Sequence, residues 1–175
     1  MTNEQTQRIV KPKAVRRAFT PGREESQFEH EVLDIARVVR VVKGGRRFRF
    51  RASVVVGDRA GRVGFGTGKS RDVQEAIQKA QRQAEKNVIL VPVVDGTIPH
   101  QVKAQFKGAS IVLRPAKSGT GVIAGGVVRS VADLAGIRDL VSKRYGSSNK
   151  LTNVMAMLKA LQQIQISGQE TSSKK

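Results

Sequence analysis

Hydrophobic and polar positions alternate with a strand period and then switch to a helix period, and the chain makes that switch twice. Residues 33–42, rich in Val and Ile, predict a strand, Lys43-Gly44-Gly45-Arg46 a turn, and the run to Val56 a second strand, together a hairpin. Strand side chains point alternately to opposite faces, so Phe48, Phe50, Ala52, Val54 and Val56 are expected on one face and Arg47, Arg49 and Arg51 on the other. The first face reads as core, the second as three available guanidinium groups. After the turn Gly57-Asp58-Arg59-Ala60-Gly61, a third strand sets Val63 and Phe65 opposite Arg62, Gly64, Gly66 and Gly68, a side that is nearly bare backbone. Asp72 and Glu75 give a capping-box-like start to a helix carrying Val73, Ala76, Ile77, Ala80, Ala84 and Val88 at helical spacing.

Pro92 and the turn Val93-Val94-Asp95-Gly96-Thr97 mark a domain boundary. Beyond it, strands are expected over 101–106 and 110–114, joined at Lys107-Gly108. A small-residue stretch then leads into an apolar helix from Val127 to about Ala135, followed by a short strand near 140–145. Asn149 caps a last helix with Leu151, Val154, Met155, Leu158 and Leu161 on one side. No repeat of fixed period is present, which excludes a solenoid. The expected division is a basic flexible arm over 1–27, an N-terminal domain over 28–92, a C-terminal domain over 98–165 and a flexible tail over 166–175.

Charge changes the picture from a fold to a partner. The 175 residues contain 32 Lys plus Arg against 14 Asp plus Glu, a formal net charge of +18. With 39% hydrophobic residues the composition is that of an ordinary globular protein, so the excess is carried by folded chain. Such a charge opposes compaction unless a polyanion neutralises it, and nucleic acid is the commonest soluble polyanion. The charge is also segregated. The arm holds Arg8, Lys11, Lys13, Arg16, Arg17 and Arg23 with no acid among them, and reads as a phosphate-contacting segment. Residues 35–57 hold Arg37, Arg40, Lys43, Arg46, Arg47, Arg49 and Arg51 without an acid, and residues 96–132 hold Lys103, Lys107, Arg114, Lys117 and Arg129 without one. The absence of Cys excludes disulfides, thiol nucleophiles and Cys-ligated zinc. The longest apolar run, 88–94, is far short of the roughly 20 residues a bilayer needs, and the polar start lacks a signal-peptide core. A cytoplasmic protein with no membrane span is expected.

Catalytic motifs fail on spacing. Gly64-Phe65-Gly66-Thr67-Gly68-Lys69-Ser70 before a helix invites a P-loop reading, but Val63 stands where that pattern needs a glycine. The dinucleotide pattern fails because Arg71 or Thr67 occupies the place of its third glycine. A base-stacking strand needs exposed aromatics, whereas Val63 and Phe65 are expected inward with Phe48 and Phe50. Two readings of the glycines stay open: a face rimmed by Arg62 and Lys69 that admits an RNA backbone, or tight packing of strand on helix. His30 and His100 fit neither a triad nor a metal-ligand spacing. No catalytic residue, metal or cofactor is expected.

Five co-linear motifs carry a resemblance. Val42-Lys43-Gly44-Gly45-Arg46-Arg47-Phe48, Val55-Val56-Gly57-Asp58, Gly61-Arg62-Val63-Gly64-Phe65-Gly66, Ala76-Ile77-Gln78-Lys79-Ala80 and Gly119-Thr120-Gly121-Val122-Ile123-Ala124-Gly125-Gly126 together resemble bacterial ribosomal protein five of the small subunit, over about 28–161. The resemblance implies an α+β fold of two small domains. The first is similar to double-stranded-RNA-binding domains, a β-sheet plus helix; the second is an α/β sandwich also seen in some small-molecule kinases. It further implies binding to small-subunit ribosomal RNA, contacts with small-subunit proteins four and eight, and a place beside the channel through which messenger RNA enters. The hairpin loop, here Lys43 to Arg46, would reach RNA near the head-body junction and border the spectinomycin site, and the Gly121 and Arg129 region would meet protein four at an interface linked to decoding accuracy. Val39 stands where many relatives have a small polar residue, a departure that bears on drug contact.

The expected function is therefore structural: an RNA-binding constituent of the small ribosomal subunit that breaks and makes no bond. Lys43, Gly44, Gly45, Arg46, Arg47, Arg49, Arg51, Arg62 and Lys69 are the expected RNA-binding residues, and Gly121 and Arg129 the expected protein interface. A generic duplex-RNA chaperone and a phosphotransferase are the rival readings.

Overall fold

Strand propensity and alternation build two antiparallel hairpins, each extended into a sheet that helices cover. In the computed structural model, residues 28–164 are described; the arm over 1–27 and the tail over 166–175 lie outside the described residues. The first sheet has the order β1-β2-β3-β4, from β1 (Glu29–Val42), β2 (Gly45–Gly57), β3 (Arg62–Ser70) and β4 (Val88–Leu90), with helix α1 (Val73–Lys86) on one face. The second has the order β5-β6-β8-β7, from β5 (Val102–Phe106), β6 (Ala109–Pro115), β7 (Val122–Ile123) and β8 (Leu140–Gly146). Helix α2 (Gly126–Ala135) crosses from β7 to its parallel neighbour β8, and α3 (Lys150–Gln162) follows. The chain is thus two α+β domains, a sheet plus helix and a mixed α/β layer.

The glycine face of β3 is where the two open readings separate. Gly64, Gly66 and Gly68 lie directly under α1, and a Cβ on any of them would drive into the carbonyl oxygens of Ala84, Ala80 and Ala76 respectively. Two residues of strand advance about 6.8 Å and four of helix about 6.0 Å, so a glycine at every second strand position meets an alanine at every fourth helix position. Ala76, Ala80 and Ala84 are correspondingly fully buried. The bare-backbone face is therefore closed by the helix, which corrects its reading as an RNA approach surface with Arg62 and Lys69 as rims.

Other expectations shift for related reasons. Val63 and Phe65 do not pack with Phe48 and Phe50; with Val55 and Val91 they join the core of the second domain, beside Val131, Ile137 and Leu140. Phe50, Ala52, Val54 and Val56 face α1, while Phe48 lies beyond the end of the helix-covered region and stays 42% exposed. Strand β1 begins at Glu29, before the expected 33, because its partner β2 continues to Gly57 and Glu29 pairs with it. Val88 leaves the helix to open β4, and β7 was not expected, being two residues long. Asp72 is the N-cap of α1 without a side-chain bond; Glu75 instead accepts from the Ser70 hydroxyl and from Lys79 Nζ at 3.2 Å. These two partners, Ser70 first, hold the Glu75 carboxyl below its ordinary range. In α3 the buried residues are Asn153, Val154, Ala156, Met157, Ala160 and Leu161, and Met155 faces out; Asn149 does cap the helix, accepting from Leu151 N at 3.0 Å.

The domains meet along the turn between β2 and β3. Arg59 N donates to Leu134 O at 3.0 Å and Gly61 N to Ala135 O at 3.1 Å, so this turn caps the C-terminal end of α2. Asp58 shapes it, accepting from the backbone N–H of Ala60 at 2.8 Å and of Arg62 at 2.9 Å and from Arg62 Nε at 2.6 Å. Burial works against its charge, yet Arg62 and the two backbone donors outweigh it and hold the carboxyl below the usual value. Acidic side chains on β1 add cross-domain ties: Glu31 accepts from Ser130 Oγ at 2.6 Å, and Asp34 pairs with Lys150 at 3.0 Å.

Substituting Gly66→Ala is expected to cost about 1–3 kcal/mol through overpacking against α1, a fall in Tm of about 2–12 °C for a domain pair of this size. Thermal melts followed by circular dichroism check it. An unchanged Tm would contradict the close strand–helix contact.

Candidate nucleic-acid interface

The hairpin of β1 and β2 extends past everything that packs on it. Val42 pairs with Gly45, leaving Lys43 and Gly44 as a two-residue loop, and Gly45 has φ +135°, a conformation that L side chains rarely adopt. From the Ala52 pair to Gly45, seven residues of arm reach about 23 Å at strand rise. No residue between 35 and 49 belongs to the buried core. A two-stranded ribbon standing alone is only marginally stable in water, so its rooted end in the doubly covered sheet fixes where it points.

Register distributes its charges. Arg40 lies directly opposite Arg47, Val38 opposite Arg49, and Ala36 opposite Arg51, which on its other side pairs with Lys69. Like charges facing each other across a sheet are destabilising. The opposite ribbon face carries Val39 opposite Phe48 and Val41 opposite Arg46, with the Arg37 guanidinium 3.7 Å above the Phe48 ring. That face leaves Val39 and Val41 exposed.

None of these cations forms an ion pair with another described residue. The ion pairs found are Arg59–Glu29, Arg62–Asp58, Lys79–Glu75 and Lys150–Asp34, all away from the ribbon. Arg51 Nε is buried with no hydrogen-bond partner among the described residues, an arrangement that costs free energy until an acceptor arrives. Strand β1 is therefore polarised. Glu31 and Asp34 are consumed in tying the domains together, and Arg37 and Arg40 beyond them are left unneutralised. Arg49, Lys69 and Arg71 line a shallow depression of about 350 Å³ at the start of α1.

The structure thus gathers Lys43, Gly44, Gly45, Arg46, Arg47, Arg49, Arg51 and Lys69 on one ribbon and its root. Arg62 stands apart, at the opposite end of β3, held by Asp58 and 5.2 Å from the Phe28 ring. Arg37 and Arg40 were missed as candidates. Counting outward from a two-residue loop would have found them, because loop length sets the register that puts Arg40 against Arg47.

Gly121 and Arg129 form a second locus around β7. Gly121 has φ +76°, its N–H donates to Asp139 Oδ1 at 2.7 Å, and its carbonyl accepts from Leu140 N at 3.2 Å. Arg129 Nη2 donates to Val122 O at 3.2 Å. A Cβ on Gly119, Gly121, Gly125 or Gly126 would meet open space, the reverse of the β3 glycines. Small residues here leave an accessible, shallow surface. No helix among the described residues is long and apolar enough to cross a membrane.

Comparison with known families agrees with the two-domain division of the sheets. Residues 28–92 match the family described as Ribosomal protein S5, N-terminal domain, and residues 104–170 match Ribosomal protein S5, C-terminal domain.

The facing arginines yield a prediction with two signs. Arg40→Gln with Arg47→Gln relieves like-charge repulsion, so the free protein should melt no lower than the parent. Its binding to ribosomal RNA should weaken, and the slope of log affinity against log salt should fall by about 1 per lost phosphate contact. Melting curves and filter binding across a salt series measure both; a lower Tm with an unchanged slope would assign the pair to folding instead.

Proposed function

The chain belongs to the ribosomal protein S5 family, non-enzymatic structural components of the small ribosomal subunit that bind ribosomal RNA, and from that premise we propose that the ribbon is the device by which it enters the RNA. The observation that carries this reading is the row of cations from Arg37 to Arg51 with no ion-pair partner among the described residues. Repulsion stored between Arg40 and Arg47 is relieved when phosphates intervene, and counterion release supplies affinity. Lys43, Arg46, Arg47, Arg49, Arg51 and Lys69 supply charge; Gly44 and Gly45 keep the tip thin enough for a crevice between RNA helices. Such contacts position the protein without reading bases. Val39, 48% exposed on the ribbon opposite Phe48, would bear on any drug contact made at that crevice.

The open glycine surface around β7 is the proposed seat of small-subunit protein four, with Gly121 and Arg129 at its centre, and decoding accuracy would depend on how firmly that contact holds. Contact with protein eight, and a position beside the channel through which messenger RNA enters, complete the proposed role.

Two measurements test this. The tagged protein should sediment with the small subunit on sucrose gradients through a high-salt wash; recovery at the top of the gradient would remove the assembly role and bring the RNA-chaperone reading forward. Gly121→Leu, strained at φ +76° but with open space for its Cβ, should reduce capture of purified protein four while leaving RNA affinity within about twofold; undiminished capture would displace the interface.

A further inference from the structure

The turn Val94-Asp95-Gly96-Thr97 lies at the boundary between the two domains. Val94 and Thr97 exchange two backbone hydrogen bonds of 2.9 Å each, and both residues between them have positive φ, +50° at Asp95 and +77° at Gly96. Asp-Gly suits a two-residue turn of this kind, because Gly adopts positive φ freely and Asp more readily than most residues. The same pair is a chemical weak point. Glycine has no side chain to shield its nitrogen, and closing a five-membered ring is all that separates that nitrogen from the aspartyl Cγ. Among the Asp and Asn residues of the sequence, Asp95 alone precedes a glycine.

The fold leaves both reacting groups unrestrained. Asp95 is exposed, and its carboxyl enters no ion pair or hydrogen bond with another described residue. The Gly96 N–H donates to no described acceptor, while the Gly96 carbonyl accepts from Arg138 N at 2.8 Å and from Asp139 N at 3.1 Å. Other aspartates are held. The Asp58 carboxyl accepts from Ala60 and Arg62, and the nitrogen that follows it, Arg59 N, donates to Leu134 O at 3.0 Å. Asp139 Oδ1 accepts from Gly121 N at 2.7 Å, and its following nitrogen, Leu140 N, donates to Gly121 O at 3.2 Å. Asp133 sits inside α2, where the backbone is fixed.

We propose that Asp95 is a site of spontaneous isoaspartate formation, and that the conversion loosens the segment that holds Gly121. With the Asp95 side chain in its carboxylic acid form, Gly96 N attacks Cγ. A nitrogen–carbon bond forms, and the hydroxyl leaves with the N–H proton as water. Water then adds to the ring carbonyl that belongs to the Asp95 main chain and breaks its bond to nitrogen. The main chain now runs through Cβ and Cγ, and the α-carboxylate hangs free. One water is lost and one is gained, so no co-reactant is needed. The product carries one more methylene in the main chain, which a two-residue turn cannot absorb without losing its pairing. Gly96 O is then displaced from Arg138 and Asp139, and Thr97 Oγ1 from Asp139 O, to which it donates at 2.7 Å. Asp139 holds Gly121 in turn. A covalent change at the domain boundary thereby reaches the surface around β7, whichever partner that surface meets.

The test ages the full chain at physiological temperature and pH beside a synthetic peptide of residues 87–103, the tryptic fragment that contains the turn. Isoaspartate is measured by enzymatic methyl transfer from labelled S-adenosylmethionine and located by electron-transfer mass spectrometry. Label should accumulate at residue 95 ahead of every other Asp and Asn in the folded chain. Asp95→Glu, whose longer side chain closes its ring far more slowly, should lose that label. Asp95→Asn, which tolerates the same positive φ and releases ammonia in place of water, should gain it faster. The converted protein, separated chromatographically, should show faster amide hydrogen exchange over 138–140 and at Gly121, with exchange in the ribbon unchanged. Conversion of the free peptide but not of the folded chain would mean that the turn protects Asp95, and would overturn the proposal. Label spread equally over other aspartates, or an Asp95→Asn variant no faster than the parent, would overturn it too. Isoaspartate at 95 with unchanged exchange at 138–140 and Gly121 would overturn the link to the β7 surface.

Discussion

The contact between β3 and α1 is the constraint on which the rest depends. Gly64, Gly66 and Gly68 let the helix backbone settle onto the strand against Ala84, Ala80 and Ala76, closer than any side chain would permit. That closeness covers one face of β2 and β3 and frees the other to pack on the second domain. Val54 and Val56 are then buried under α1 while Val55, between them, is buried in the core shared with the second domain. A strand sealed on both faces is a rigid root. The basic ribbon is an extension of that root.

Rigidity and charge are separated along a single strand. The first half of β1 spends its acids on Ser130 and Lys150 of the second domain; the second half leaves its arginines bare. A uniformly mixed strand would neutralise itself and bind nothing, and a uniformly basic one would repel its own docking partner. The polarity of β1 therefore separates domain docking at one end from unpaired positive charge at the other. The same economy governs glycine. Gly136, at φ +81°, ends α2 where the Arg59 backbone presses against it, whereas Gly121, at φ +76°, shapes a surface where no described residue lies within 4 Å of an added Cβ.

Much of this was legible in the chain. The strand–strand–strand–helix order, the Lys107-Gly108 hairpin, the Asn149 cap and the cation-rich ribbon all follow from local alternation, turn chemistry and charge. Where local reasoning fell short, the missing information was non-local. Phe48 reads as core by alternation, yet α1 starts near Phe50 and Ala52 and does not reach it. Met155 sits on an apolar helical face, but α3 is rotated so that Asn153, bonded to the Ser147 and Asn149 carbonyls, is buried in its stead. Arg40 was invisible as a site residue until register placed it against Arg47.

The sequence by itself determined the longer elements, the two-domain division, the segregation of positive charge and the family, because each is written in nearest-neighbour periodicity or ordered motifs. Only the tertiary structure decided which surfaces remain available. Whether a glycine face admits RNA or a helix, whether a valine strand is buried once or twice, and whether an arginine is paired or free depend on what arrives from distant parts of the chain. Close packing leaves a glycine face room for one neighbour, and here α1 occupies it.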